Sequence, residues 1–210
     1  MESTANEFDK KAKEWDVSPE HIHRVEVLAD AINKTIPSDT SFTAMEYGCG
    51  TGLLSFLLKE RFSKIALIDN SSGMLEVLRN KIKYDNVKNM DVFNVDIMES
   101  TIGIPQPFSV IYSSMVLHHI EDIDKILKIW YGLLNTPGYS CVADLDSDNG
   151  LFHGNGFKGH GGFDRKTLKE KMENAGFVNV TFRTVLEIQK KANNGISRSF
   201  PVFLMTARKL

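Results

Sequence analysis

Between Phe42 and Leu145 the chain keeps switching between two periodicities, and this switching limits its fold more than any other feature. The runs "FTAME", "KIALID", "MDVFNVD", "PFSVIYSS" and "GYSCVADL" are short and strand-forming. The stretches "GLLSFLLKERF", "SGMLEVLRNKIKY" and "DIDKILKIWYGLL" instead carry apolar residues at helical spacing, which places Met74, Leu75, Leu78 and Ile82 on one face. Strands and helices in alternation predict a parallel sheet with helices on both faces. The end of the chain breaks the pattern. "DRKTLKEKMENAG" predicts a helix with Asp164 as N-cap and Gly176 at its close. Two strand-like runs then flank "ANNGISR", where Asn194-Gly195 predicts a hairpin turn, so the sheet should finish antiparallel.

Ahead of the alternation, residues 1–40 read as a polar helical cap, and 41–210 as one compact unit. Ser18-Pro19-Glu20 is a helix start, followed by Ile22, Val25, Leu28 and Ile32 at helical spacing. A formal charge of −2 argues against a broad basic surface, and no nucleic-acid partner is expected. No run approaches the ~20 apolar residues of a membrane span, and no membrane partner is expected. The N-terminus lacks the apolar core of a signal peptide. Two cysteines, Cys49 and Cys141, are too few for a disulfide framework, which predicts reduced thiols and a cytoplasmic setting. Nothing in the sequence fixes the oligomeric state.

The stretch "EYGCGTG" is where the first strand hands over to the first helix of the alternation. Without Cβ atoms at Gly48, Gly50 and Gly52 the chain turns sharply and presents bare backbone to a ligand. Asp69 closes the second strand nineteen positions after Gly50, about where an acid meets ribose hydroxyls in nucleotide-binding folds. Asp96 is expected to close the third strand, where its carboxylate would accept from an exocyclic adenine amine. Three such positions on three successive strand ends predict a nucleoside lying along one rim of the sheet.

With these residues in view, the chain resembles a class I S-adenosylmethionine-dependent methyltransferase over most of its length. "MEYGCGTG" resembles that family's cofactor loop, "LIDNSSGMLEVL" its ribose segment and "NVDI" its adenine segment. "FSVIYSSMVLHHIED" is similar to its fourth strand, and the terminal hairpin is its hallmark. The resemblance implies a Rossmann-like, doubly wound, mostly parallel sheet of seven strands. It implies S-adenosyl-L-methionine as cofactor and S-adenosyl-L-homocysteine as product. It sets Glu46, Gly48, Cys49, Gly50 and Gly52 around the methionine end, Asp69 on the ribose, and Asn70 and Met74 beside the adenine. Asp96 and Ile97 would lie at the adenine edge, Ser113 near the sulfonium, and Trp15 of an N-terminal helix over the cofactor.

On the acceptor side, His118 and His119 follow the fourth strand as a candidate base or substrate contact. The glycine-rich stretch "SDNGLFHGNGFKGHGGF" predicts a lid whose glycines act as hinges, with Phe152, His153, His160 and Phe163 toward the substrate. A group of uncharacterised small methyltransferases that the chain follows carries a "FH…HHGF" pattern here, and Gly161 replaces its second adjacent histidine. No carboxylate stands at metal-ligand spacing from these histidines, and no metal is expected. The fourth strand ends in "YSSMV" rather than the Asp/Asn-Pro-Pro-aromatic signature of nucleic-acid amino methylation, so a small-molecule acceptor is expected. A nicotinamide dehydrogenase shares the first glycine turn, but this turn reads Gly-x-Gly-x-Gly. A cofactor-binding protein or partner subunit without turnover is the remaining alternative.

Overall fold

Two helices precede the sheet, α1 (Thr4–Trp15) and α2 (Pro19–Thr35); the Ser18 hydroxyl caps α2 by accepting from the His21 N–H at 3.4 Å. The alternation then runs β1 (Thr43–Tyr47), α3 (Leu53–Leu58), β2 (Lys64–Asp69), α4 (Ser72–Tyr84) and β3 (Met90–Asn94). It continues through β4 (Phe108–Ser114), α5 (Ile123–Leu133), β5 (Leu134–Leu145), α6 (Arg165–Asn174), β6 (Val178–Lys191) and β7 (Ser197–Lys209). This computed structural model describes residues 4–148, 150–154, 156–191 and 197–210.

The seven strands lie in the order β3-β2-β1-β4-β5-β7-β6. The first five pair in parallel, and β7 enters antiparallel between β5 and β6. The expected sheet is thus the observed one. Strand order reverses between β1 and β4, which opens a crevice at their carboxyl ends. Both faces of the central strands are buried, as parallel sheets require. Ala44, Val110 and Tyr112 pack toward Leu28, Ile32, Leu58 and Leu78 on one side. Met45, Ile111 and Val142 pack toward Ile126, Trp130 and Met172 on the other, and Trp130 is fully buried.

Several boundaries differ from the sequence expectation. β3 ends at Asn94, so Asp96 stands two residues beyond it; its carboxylate accepts from the Met98 N–H at 2.8 Å and shapes a turn. β5 starts at Leu134, which pairs Phe108 before a bulge delays regular pairing to Tyr139. Pro137 falls in that interruption, where its missing N–H costs the ladder nothing. Ile22 is exposed beside Leu57 instead of joining Val25, Leu28 and Ile32 in the core. The Asn194-Gly195 turn lies outside the described residues, while the flanking strands pair antiparallel up to Lys191 and Ser197.

Candidate active site

The glycine turn is built from the sheet outward. The Gly48 and Cys49 N–H groups both donate to the Ile68 carbonyl, at 2.8 and 3.0 Å, which folds the chain back over β2. Gly48 has φ +69°, and any Cβ there would collide with the Val116 side chain. Its bareness is therefore explained by internal packing. Gly50 is different: a Cβ would meet only Met74 Sδ, at 3.9 Å, so the backbone at this point lies open. Its N–H donates to Asp69 Oδ2 at 2.8 Å, and the Ser71 N–H donates to Asp69 Oδ1 at 2.8 Å. One carboxylate at the end of β2 thus ties the turn to the start of α4.

Two acids stand at this rim, each desolvated by more than its hydrogen bonds offset. Glu46 is 3% exposed; the Ser55 hydroxyl donates to it, and Ser55 Oγ lies 2.5 Å from the Tyr112 hydroxyl. Burial pushes the Glu46 carboxyl up to about 8. Burial also raises Asp69, against the lowering by the Ser71 and Gly50 N–H bonds. Both environments favour an incoming cation or hydroxyl donor. The Cys49 thiol is raised well above its usual range by burial, and that of Cys141 is pushed up to about 12, which leaves both unreactive.

The other expected cofactor residues divide. Met74 is buried against the turn and Asn70 is exposed at its edge. Ile97 is buried in the core layer with Tyr47 and Ile68, so its side chain supports the rim from beneath. The Ser113 hydroxyl is committed to the Tyr47 carbonyl at 2.9 Å, in the seam between β4 and β1.

Helix α1 lies across this rim, anchored by acids that the sequence reading passed over. Asp9 accepts from the Ser71 hydroxyl at 2.6 Å and the Gly73 N–H at 2.8 Å. Asp16 accepts from the Thr51 hydroxyl at 2.5 Å and from Lys81 Nζ at 2.7 Å. Seven-residue spacing does bring Phe8 and Trp15 together, edge to face at 5.8 Å. Trp15 also stacks on His21 at 4.0 Å, while Phe8 is the aromatic that reaches His119, at 5.5 Å.

Beyond β4 the histidines converge. His118 Nδ1 lies 2.6 Å from Asp144 Oδ1, with both side chains buried, and the His118 N–H donates to Asp144 Oδ2 at 3.2 Å. The imidazoles of His118, His119 and His153 present nitrogens within 4.8 Å of one another. Phe157 stacks on His153 at 3.9 Å and stands edge-on to His119 at 5.2 Å. Burial lowers His119 to about 3 and His153 to about 4, with the neighbouring His118 adding to both, so these two rings are neutral at pH 7.

The glycine-rich loop is bonded to the rim through His160. The His160 N–H donates to the His118 carbonyl at 2.7 Å, and its Nε2 lies 2.9 Å from the Ile120 carbonyl. A Cβ at Gly159 would strike the His118 carbonyl, so this glycine permits close backbone contact. Phe163 is buried in the core and pairs its backbone with Leu145 and Asp146. Phe152 packs on Phe200 at 5.3 Å and on His153 at 4.9 Å. Of the four residues expected on the substrate side, His153 joins the histidine cluster, Phe152 supports it, and His160 and Phe163 hold the loop. The Asp144 carboxylate was the missed partner. Its signal was an acid inside the otherwise apolar run "CVADL".

A family model described as a methyltransferase domain matches residues 44–138, which span the glycine turn, Asp69, Asp96 and the histidines after β4. Over residues 44–138 the chain is thus similar to a methyltransferase domain. Among curated proteins, an uncharacterised methyltransferase of Schizosaccharomyces pombe is 28% identical over 67% of this chain and 55% of its own length. The malonyl-[acyl-carrier protein] O-methyltransferase of Priestia megaterium is 28% identical over 62% of this chain and 52% of that protein. The chain therefore spans about half the length of the curated relatives it matches. A SAM-dependent methyltransferase from Aquifex aeolicus has the same fold at TM-score 0.67 and 16% identity, with all of both chains covered. The [4+2]-cyclase SpnF superposes at TM-score 0.68 and 15% identity, over 87% of this chain and 80% of that one. A shared fold thus does not by itself fix the reaction.

The rim has groups that fit S-adenosyl-L-methionine, the methyl donor after which the Aquifex aeolicus protein is named. Buried Glu46 and half-buried Asp69 are acceptors of the kind that an ammonium, a sulfonium and ribose hydroxyls call for, and the open backbone at Gly50 lies between them in the chain.

Proposed function

We propose that the chain transfers a methyl group from S-adenosyl-L-methionine to a small-molecule acceptor by in-line displacement. The observation that carries this reading is the Asp69 carboxylate, held at the end of β2 by the Gly50 and Ser71 N–H groups. A carboxylate oxygen has lone pairs to spare beyond one N–H bond, so Asp69 still accepts from ribose hydroxyls. Glu46 receives the ammonium, and a positive neighbour restores its ionised form. Gly48, Cys49, Gly50 and Gly52 line the amino-acid tail. Asn70 and Met74 flank the base, with Asp96 and the Ile97 backbone at its edge. Ser113 acts through the Tyr47 carbonyl that it fixes, and Trp15 steadies α1 as a roof.

When bound, the cofactor supplies an electrophilic methyl group on a cationic sulfur. The protein's own contribution is alignment and exclusion of water. Phe8, Phe157 and the fastened loop exclude water around His119 and His153. His118 and His119 form the acceptor end, where the neutral His119 ring and His118 Nε2 meet the incoming group. Asp144 sets the His118 ring by taking its Nδ1–H, which turns the Nε2 lone pair toward the cluster.

The test is release of S-adenosyl-L-homocysteine with a panel of hydroxyl, thiol, amine and carboxylate acceptors. A malonyl thioester belongs in the panel, because four of the curated relatives are named for that acceptor. His118→Ala should lower turnover at least tenfold and leave cofactor affinity within about twofold. Binding without product release for every acceptor class would instead favour a cofactor-binding protein without turnover.

A further inference from the structure

The methyl-transfer reading gives the His118 Nε2 lone pair an acceptor to meet but leaves His153 Nε2 with no partner. His118 Nε2 and His153 Nε2 are both buried without a hydrogen-bond partner. His118 is 1% exposed, and its other ring nitrogen is already taken by Asp144. Leaving buried polar atoms unpaired costs about 1–3 kcal/mol each, so such atoms ordinarily have a partner. Two nitrogens that faced each other as donor and acceptor would have closed to hydrogen-bonding distance. Instead three imidazoles point nitrogens at a common space, none more than 4.8 Å from another.

We propose that His118, His119 and His153 bind one divalent transition-metal ion of the zinc type, with Asp144 as the outer carboxylate that orients His118. Imidazole nitrogens about 2.0–2.1 Å from zinc lie roughly 3.3 Å apart in a tetrahedral site. The cluster therefore needs to contract by at most about 1.5 Å, which ring rotation on the 3₁₀ turn Leu117–His119 and on the loop supplies. A histidine ligand that gives its second nitrogen to a carboxylate is the arrangement expected around a bound metal. Asp144 also accepts from the His118 and Leu145 N–H groups, so its geometry is fixed before any ion arrives. Asp148 adds a second negative charge that reaches His153, opposed by Lys190, while Lys11 opposes at His119. His160 stands outside the set, since its ring nitrogen is bonded to the Ile120 carbonyl.

Three histidines leave a fourth position open, which is the pattern of a reactive rather than a structural zinc site. The cluster shares its rim with the glycine turn, because Val116, two residues before His118, packs on Gly48. Resting on the methyl-transfer reading, the open position takes an acceptor hydroxyl or thiol. Coordination acidifies that group, and its proton leaves to solvent.

The experiment uses chelator-treated full chain, titrated with Zn(II) against a chromophoric competitor and, separately, with Co(II) followed by visible absorption. One equivalent should bind, and cobalt should give the d–d bands of a low-coordinate nitrogen site. His119→Ala and His153→Ala should each weaken binding at least tenfold, and His160→Ala should not. Asp144→Asn should weaken it 10–100-fold. If that buried variant does not fold, the half-buried His153 on the loop still decides the matter. No stoichiometric binding, as expected if the space holds only water, overturns the proposal, and so does equal affinity in His153→Ala. Calorimetry of the metal-free protein with S-adenosyl-L-homocysteine is run alongside. Product binding without metal binding sinks the metal site alone, while loss of product binding sinks the methyl-transfer reading.

Discussion

At Asp69 two demands meet on one side chain. Its oxygens organise the turn through Gly50 and Ser71, and the same oxygens are the proposed ribose acceptors. Asp69→Ala should weaken cofactor binding by about 1–3 kcal/mol, the scale for losing a charged hydrogen-bonding partner. Calorimetry giving unchanged affinity would reject the ribose role. Glu46 supports a prediction with a definite sign. Its carboxyl titrates near 4.5 when unfolded and near 8 when buried, so the folded chain holds the extra proton between these values. Stability from Glu46 is then complete below about 4.5 and lost as pH rises through about 8. Urea midpoints of the cofactor-free protein should fall across this window, and Glu46→Gln should flatten the fall. An identical slope in the variant would show that Glu46 ionises freely in the fold. Asp69 was legible in the sequence as an acid that closes a strand, and Glu46 through the family resemblance of its glycine turn. Asp144 was not, since its importance depends on His118 arriving from 26 residues away in the chain.

Among the elements, α1 depends most on partners distant in sequence. It is a polar helix of 12 residues, short enough to be marginal alone, and Asp9 and Asp16 fasten it to α4 and to Thr51. Asp9→Ala should speed hydrogen exchange in the α1 amides several-fold and leave those of β1 and β4 unchanged. Equal exchange in α1 would mean that Phe8 and Trp15 hold the helix without Asp9. The periodicity of α2 and α4 was readable because each buries one stripe of apolar residues. The loop after β5 was not readable as a docked element. Its glycines resemble hinges in sequence, yet Gly159 serves a backbone contact with His118 that only the fold creates.

For the molecule as a whole, ligand linkage provides the broadest test. A ligand that binds only the folded state at one hundred times its Kd stabilises by about 2.7 kcal/mol. For a chain of 210 residues this corresponds to a rise of about 5–10 °C in Tm. Both S-adenosyl-L-methionine and S-adenosyl-L-homocysteine should produce it, and NADH should not. A shift with the nicotinamide alone would reassign the rim to a dehydrogenase. Among the described residues no helix is long and apolar enough to cross a membrane, consistent with the lack of any such run in the sequence.

The sequence by itself determined the strand and helix alternation, the antiparallel ending and the acidic strand tips beside a glycine turn. All of these are local: periodicity and backbone freedom act over a few residues, so a linear reading suffices. The tertiary structure alone decided which histidines meet, that Asp144 sets one of them, and that α1 lies over the rim. Those contacts join residues dozens of positions apart through burial, where an unpaired nitrogen or carboxylate is costly and its partner is chosen by the packing of the sheet.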